Sequence, residues 1–109
     1  TRRDAAIEQA TFQAAEEPLA AARFAVRVLD LSVEVAEKGN LNAISDAASG
    51  AAHARAALTA AGLNVRINLL NVSDRKRAQA MLDTLQALET SASYMEEKLK
   101  TVLRERAGL

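Results

Sequence analysis

The stretch Gly39-Asn40-Leu41-Asn42-Ala43-Ile44-Ser45-Asp46, answered by Asn64-Val65-Arg66-Ile67-Asn68-Leu69, brackets the segment on which the fold turns. From Leu41 to Leu70 only Asp46, Arg55 and Arg66 are reliably ionised, and most of the remainder is Ala, Leu, Ile and Val. A helix apolar on nearly every side belongs in an interior rather than on a surface. Its polar residues then require partners, because a buried polar group without one is costly.

Outward from this segment, Thr1–Lys38 and Asp74–Arg106 are amphipathic and charged, as outer helices are. In the first, Ala6, Ala10 and Ala14, then Phe24, Val28, Leu31 and Val35, recur at spacings of three and four. Pro18 predicts two helical pieces, or one helix kinked near Glu17-Pro18. Gly39, after Lys38, is the expected left-handed stop. The middle helix is expected to start between Leu41 and Asp46 with Ser45 as N-cap. It is read as continuous through Gly50 and Gly62, which signal close approach of another backbone or a ligand. Ser73 is the expected cap of the third helix, where Ala78, Met81, Leu85, Leu88, Ala92, Leu99 and Val102 share a face.

The prediction is one all-α domain over residues 1–109, with three to four long antiparallel helices at about 3–38, 43–70 and 74–106. Three such helices make a thin layer that cannot surround one apolar on all sides. The missing cover is expected from a second subunit (a homodimer or higher homo-oligomer), from further N-terminal helices, or from both. The opening Thr-Arg-Arg is already in helical pattern and reads as the later part of something longer.

Composition narrows the function. Half of the 109 residues are hydrophobic but only 3% are aromatic, which describes close-packed helices rather than a core of large side chains. Fourteen basic and 14 acidic residues cancel, so neither nucleic acid nor an anionic membrane surface is an expected partner. There is no cysteine, which fits a cytoplasmic protein, and no apolar run long enough to span a membrane. No second His or Cys stands at ligand spacing, so no metal is expected.

On a wheel of 100° per residue, Asn42, Ser45, Asp46, Ser49 and His53 fall within about 100° of one another. Asn64 and Asn68 continue near the same side, and Arg55 and Arg66 project from a different face. Capping and solvation would account for Ser45 and Ser49. His53 reads as a rim or core side chain. Asn64 and Asn68 are either clamps between helices or polar contacts to a ligand. Arg55 and Arg66 are more ordinarily solvated or paired charges than ligand anchors.

The blocks Arg3-Asp4-Ala5-Ala6-Ile7-Glu8-Gln9-Ala10-Thr11, Glu17-Pro18-Leu19, Gly39 to Asp46 and Asn64 to Leu69 together resemble the later half of the cyclodeaminase family. This is the domain of formiminotransferase-cyclodeaminase, which also occurs alone as a methenyltetrahydrofolate cyclohydrolase. The resemblance implies an all-helical dimerising fold that acts in one-carbon metabolism on formimino- or methenyl-tetrahydrofolate. Family members also carry, upstream, a Gly-Gly-Gly run and a helix with the proposed catalytic aspartate. Neither lies in these 109 residues, so the resemblance implies an enzyme but leaves catalysis by this chain alone open. Within it, Asp46 is the expected carboxylate that balances the cationic methenyl group or orients the pterin. Asn40, Asn42, Ser45, Asn64 and Asn68 are the expected hydrogen-bonding contacts, and Arg55 or Arg66 the partner of the folate glutamate tail. The alternative is a non-catalytic helical module that dimerises through Ala-rich faces.

Overall fold

The structure, a computed structural model, describes residues 1–109 as three long helices and one short turn of 3-10 helix. Helix α1 spans Arg2–Lys38, α2 spans Ile44–Leu69 and α3 spans Arg75–Ala107, with the 3-10 turn at Leu41–Ala43 between α1 and α2. They lie along one another in a rod of 61 × 18 × 16 Å. No helix is long and apolar enough to cross a membrane.

Small residues set the close packing of α1 on α2. Helix α1 buries Ala15, Ala22, Ala25 and Ala36 among Phe12, Leu19, Leu29 and Val33, while α2 buries Ala47, Ala51, Ala54 and Ala61 around Leu58 and Val65. At Gly50 an added Cβ would stand 3.4 Å from the Ser32 hydroxyl of α1. Helix α3 closes the third side with Ala78, Met81, Leu85, Ala92, Leu99 and Val102. Helix α1 runs through Pro18 as one element. Its buried face continues on both sides of the proline, at Ala15 and Leu19, and holds the helix where one hydrogen bond is lost.

Several ends differ from the sequence expectations. Gly39 is extended, at φ −81° and ψ −176°, rather than left-handed. Its glycine answers a close approach instead: a Cβ there would lie 2.5 Å from the Val35 carbonyl oxygen. Ser45 does not cap α2, because the chain enters that helix through the 3-10 turn, where the Asn40 side chain accepts from the Asn42 N–H at 2.9 Å. Asp74, not Ser73, caps α3, accepting from the Arg77 N–H at 3.0 Å. The left-handed terminal glycine is Gly108, at φ 69°.

Within this chain α2 is not enclosed. One side is buried, but Leu63 and Ile67 on the other are 64% and 65% exposed, and Leu70 is similarly open. Two neighbouring helices cannot cover the full circumference of a third. Along the outer side of α1, Phe24, Leu31 and Val35 are exposed as well.

Charged side chains tie the ends of the rod. The Arg106 guanidinium donates to the Ala36 carbonyl at 2.6 Å and to the Gly39 carbonyl at 3.2 Å, joining the end of α3 to the end of α1. Arg75 donates to the Leu69 carbonyl at 2.6 Å and closes the end of α2. A hydrogen bond from a charged group contributes more than a neutral one, about 1.5–3 kcal/mol. Arg106→Ala is therefore expected to lower the urea midpoint by the equivalent of about 1–2 kcal/mol with no change in the denaturant slope. An unchanged midpoint would show that these carbonyls are equally satisfied by water.

Candidate functional site

The first turns of α1 and the last turns of α2 meet at one end of the rod and leave a cleft of about 370 Å³. Asp4, Ile7, Glu8 and Thr11 line it from α1; Ile67 and Asn68 line it from α2, with Asn71 and Val72 from the following turn. Sequence blocks sixty residues apart thus form one wall. Helix α1 places Asp4, Ile7, Glu8 and Thr11 on one side by their spacing of three or four. The Asn68 amide donates to the Asn64 carbonyl at 2.8 Å, which fixes its rotamer at the rim.

Glu8 holds the cleft together. One carboxylate oxygen accepts from the Ser73 N–H at 2.5 Å and the other from the Asp74 N–H at 3.2 Å. These donors open α3, so the carboxylate also meets the positive end of that helix. The hydrogen bonds, that of the Ser73 N–H foremost, hold the Glu8 carboxyl below its ordinary pKa. Beside it the Arg77 guanidinium stands 4.1 Å over the Phe12 ring and donates to the Gln9 side-chain oxygen at 3.0 Å. Sequence reading assigned no role to Glu8. The signal was an acid about two turns from the start of α1, which is unremarkable until Ser73 and Asp74 are seen beside it.

The other proposed site residues are distributed differently. Asn40, Asn42, Ser45 and Asp46 lie at the opposite end of α2, all exposed. Asn64 is exposed and Asn68 half-buried. The stripe of Asn42, Ser45, Asp46, Ser49 and His53 turns away from the core of this chain, and the His53 ring bonds back to the Ser49 carbonyl at 2.8 Å. Asp46 and Asn68 are 22 residues apart on one helix, about 33 Å at 1.5 Å per residue. One small ligand does not reach both within a single copy.

Arg55 and Arg66 face α3. Arg66 forms a two-pronged pair with Glu89, at 2.5 and 3.1 Å, which raises its already high pKa. A Cβ at Gly62 would lie 2.9 Å from that guanidinium and 3.2 Å from the carboxylate, so a larger residue there would make the pair shift. Arg55 stands 3.3 Å from Glu96 without hydrogen-bond geometry. Both guanidiniums are thus engaged by carboxylates of their own chain. No three His, Cys, Asp or Glu side chains gather where they would hold a metal ion.

The family model described as formiminotransferase-cyclodeaminase matches residues 1–87, which include both walls of the cleft. The chain is 38% identical over 106 residues to a methenyltetrahydrofolate cyclohydrolase of Methylorubrum extorquens, an alignment that covers 97% of this chain and 51% of the relative. The chain therefore spans about half the length of that curated relative.

The Glu8 linkage gives a pH signature. Its folded pKa is depressed, so its contribution is present above the unfolded carboxylate value and is lost as pH falls through the folded value. Between about pH 5 and pH 3 the wild type is expected to lose stability more steeply than Glu8→Gln, measured by urea unfolding at each pH. Parallel curves would remove the clamp from the acid response.

Proposed function

The chain belongs to the formiminotransferase-cyclodeaminase family, and on that premise we propose that it serves one-carbon folate metabolism by binding a formimino- or methenyl-tetrahydrofolate. The observation that carries this reading is the convergence of two family-like blocks, Asp4 to Thr11 and Ile67-Asn68, on one cleft. Its mixed lining of Ile7, Ile67 and Val72 with Asn68, Asn71 and Glu8 suits a flat ligand with polar edges.

The chemistry follows from the substrate. A methenyl group bridging N5 and N10 is a delocalised cation. Water adds to its carbon, one carbon–nitrogen bond breaks, the water loses its protons and the departing nitrogen gains one. The product is a formyl-tetrahydrofolate. In the deaminase direction N10 closes on a formimino carbon and ammonia leaves. Either route is helped by a carboxylate near the cation and by fixed dipoles around it. Asp46 is the carboxylate we assign to the reaction, with Asn40, Asn42, Ser45, Asn64 and Asn68 as orienting groups. Because Asp46 and Asn68 stand about 33 Å apart on α2, one ligand would meet both only across a homodimer or higher homo-oligomer of this chain. Arg55 and Arg66, paired with Glu96 and Glu89, would meet a folate tail only by leaving those partners. The similarity to a cyclohydrolase favours hydrolysis over ammonia loss.

A second reading is a non-catalytic helical module that associates through exposed apolar faces. The open Leu63, Ile67 and Leu70 favour it. Folinic acid separates the two, because a ligand bound only by the folded form raises the melting temperature by mass action. A rise that grows with ligand concentration is expected, with affinity falling about tenfold or more in Asp46→Asn and in Asn68→Ala by calorimetry. No thermal shift at millimolar ligand would leave the interaction module standing. Wild-type affinity in both variants would take those residues out of the site.

A further inference from the structure

A second cleft, of about 490 Å³, opens between the last turns of α2 and the first half of α3. Leu69 and Leu70 of α2 and Leu82 of α3 form its apolar part. The pair of Arg66 and Glu89 bounds it on the side away from the connecting turn, and Arg75 bounds it at the turn. It shares no lining residue with the cleft between α1 and α2, so it stands apart from the folate reading. We propose that this second cleft binds an aliphatic monocarboxylate. The Arg75 guanidinium holds the head group, and the chain lies on Leu70 and Leu82.

The guanidiniums decide the head group. Arg75 is anchored through one nitrogen: its Nη1 donates to the Leu69, Val72 and Leu70 carbonyls at 2.6, 3.4 and 3.5 Å. Its Nη2 and Nε groups meet no acceptor of the chain, which leaves a held, charged pair of donors on one edge. Such an edge matches the two oxygens of a carboxylate. Arg66 is already engaged, with both terminal nitrogens on Glu89. Arg66, Arg75 and Glu89 together carry one net positive charge, which a single anionic charge neutralises. A phosphate dianion would overshoot it beside the Glu89 carboxylate.

The apolar part decides the tail. Leu70 is 63% exposed and Leu82 half-buried, so both offer apolar surface to a ligand. No aromatic ring lines the cleft, and an aliphatic floor suits a flexible chain. The volume lies within the roughly 300–1,000 Å³ of small-molecule sites. Each CH₂ buried there is worth about fourfold in affinity.

Hexanoate, followed by amide NMR of the isotope-labelled chain, tests the site. Saturable shifts are expected over residues 66–70 and 75–89, with millimolar affinity. Butanoate is expected to bind about tenfold more weakly, and hexylamine, a chain of the same length on a cation, not at all. Leu70→Asp changes an exposed position, and Gln86→Glu adds a second carboxylate beside Glu89. Both are expected to keep the wild-type melting temperature and to weaken hexanoate about tenfold. Hexanoate and butanoate of equal affinity would overturn the apolar tail, and binding of hexylamine would overturn the carboxylate. Wild-type affinity in both variants, shifts confined to Asp4–Thr11 and Asn68, or no saturable shift at tens of millimolar would each overturn the site. Folinic acid added to the hexanoate-bound chain is expected to leave hexanoate in place. Displacement would overturn the separate cleft, whereas folinic acid that never binds would overturn the folate reading and leave the carboxylate site standing.

Discussion

Three of the six helix ends in this rod are closed by a side chain that reaches from another helix. Glu8 of α1 receives the Ser73 and Asp74 N–H groups just before α3, Arg75 takes the last carbonyls of α2, and Arg106 takes those at the end of α1. A three-helix layer 16 Å thick has little interior, so only 25 of its 109 residues are buried and alanines dominate the α1–α2 seam. In such a thin body the orphan groups of helix termini are a large share of the polar groups that need partners. The clamps supply them at both ends and fix the axial register that alanine packing leaves weakly defined. Glu8 lines the cleft between α1 and α2 and ties α1 to the turn before α3.

The helices were legible in the sequence because their apolar spacing is strongly periodic and their breaks fall in short polar turns. Their caps were less so. Ser45 and Ser73 are good capping residues by type, but Asn40 reached the 3-10 turn first and Asp74 stood one residue nearer the start of α3. Gly39 was recognisable as a stop by composition. Its extended backbone, set by the Val35 carbonyl, depends on how the next helix leaves the turn. The burial of α2 was legible only on the side that α1 and α3 cover. A low-charge helix predicts cover on all sides without saying which molecule supplies it, and here one side remains open.

The site shows a similar division. The polar stripe on α2 was visible as periodicity, and the structure keeps it on one flank. What periodicity does not contain is axial distance: residues that share a face need not share a ligand. Nor does it reveal Glu8, whose role is created by Ser73 and Asp74 at a separation of 65 residues. Arg55 and Arg66 looked equivalent in sequence, yet Arg66 gains a two-pronged carboxylate and Arg55 a looser one.

The missing side chain at Gly62 is the counterpart of a charge on another helix. With Glu89 absent, nothing would draw the Arg66 guanidinium across that position, and alanine would improve the helix. Glycine at 62 and an acid at 89 are thus bound by a single steric condition. The size of one residue on α2 therefore conditions how closely a charge on α3 can be held against it.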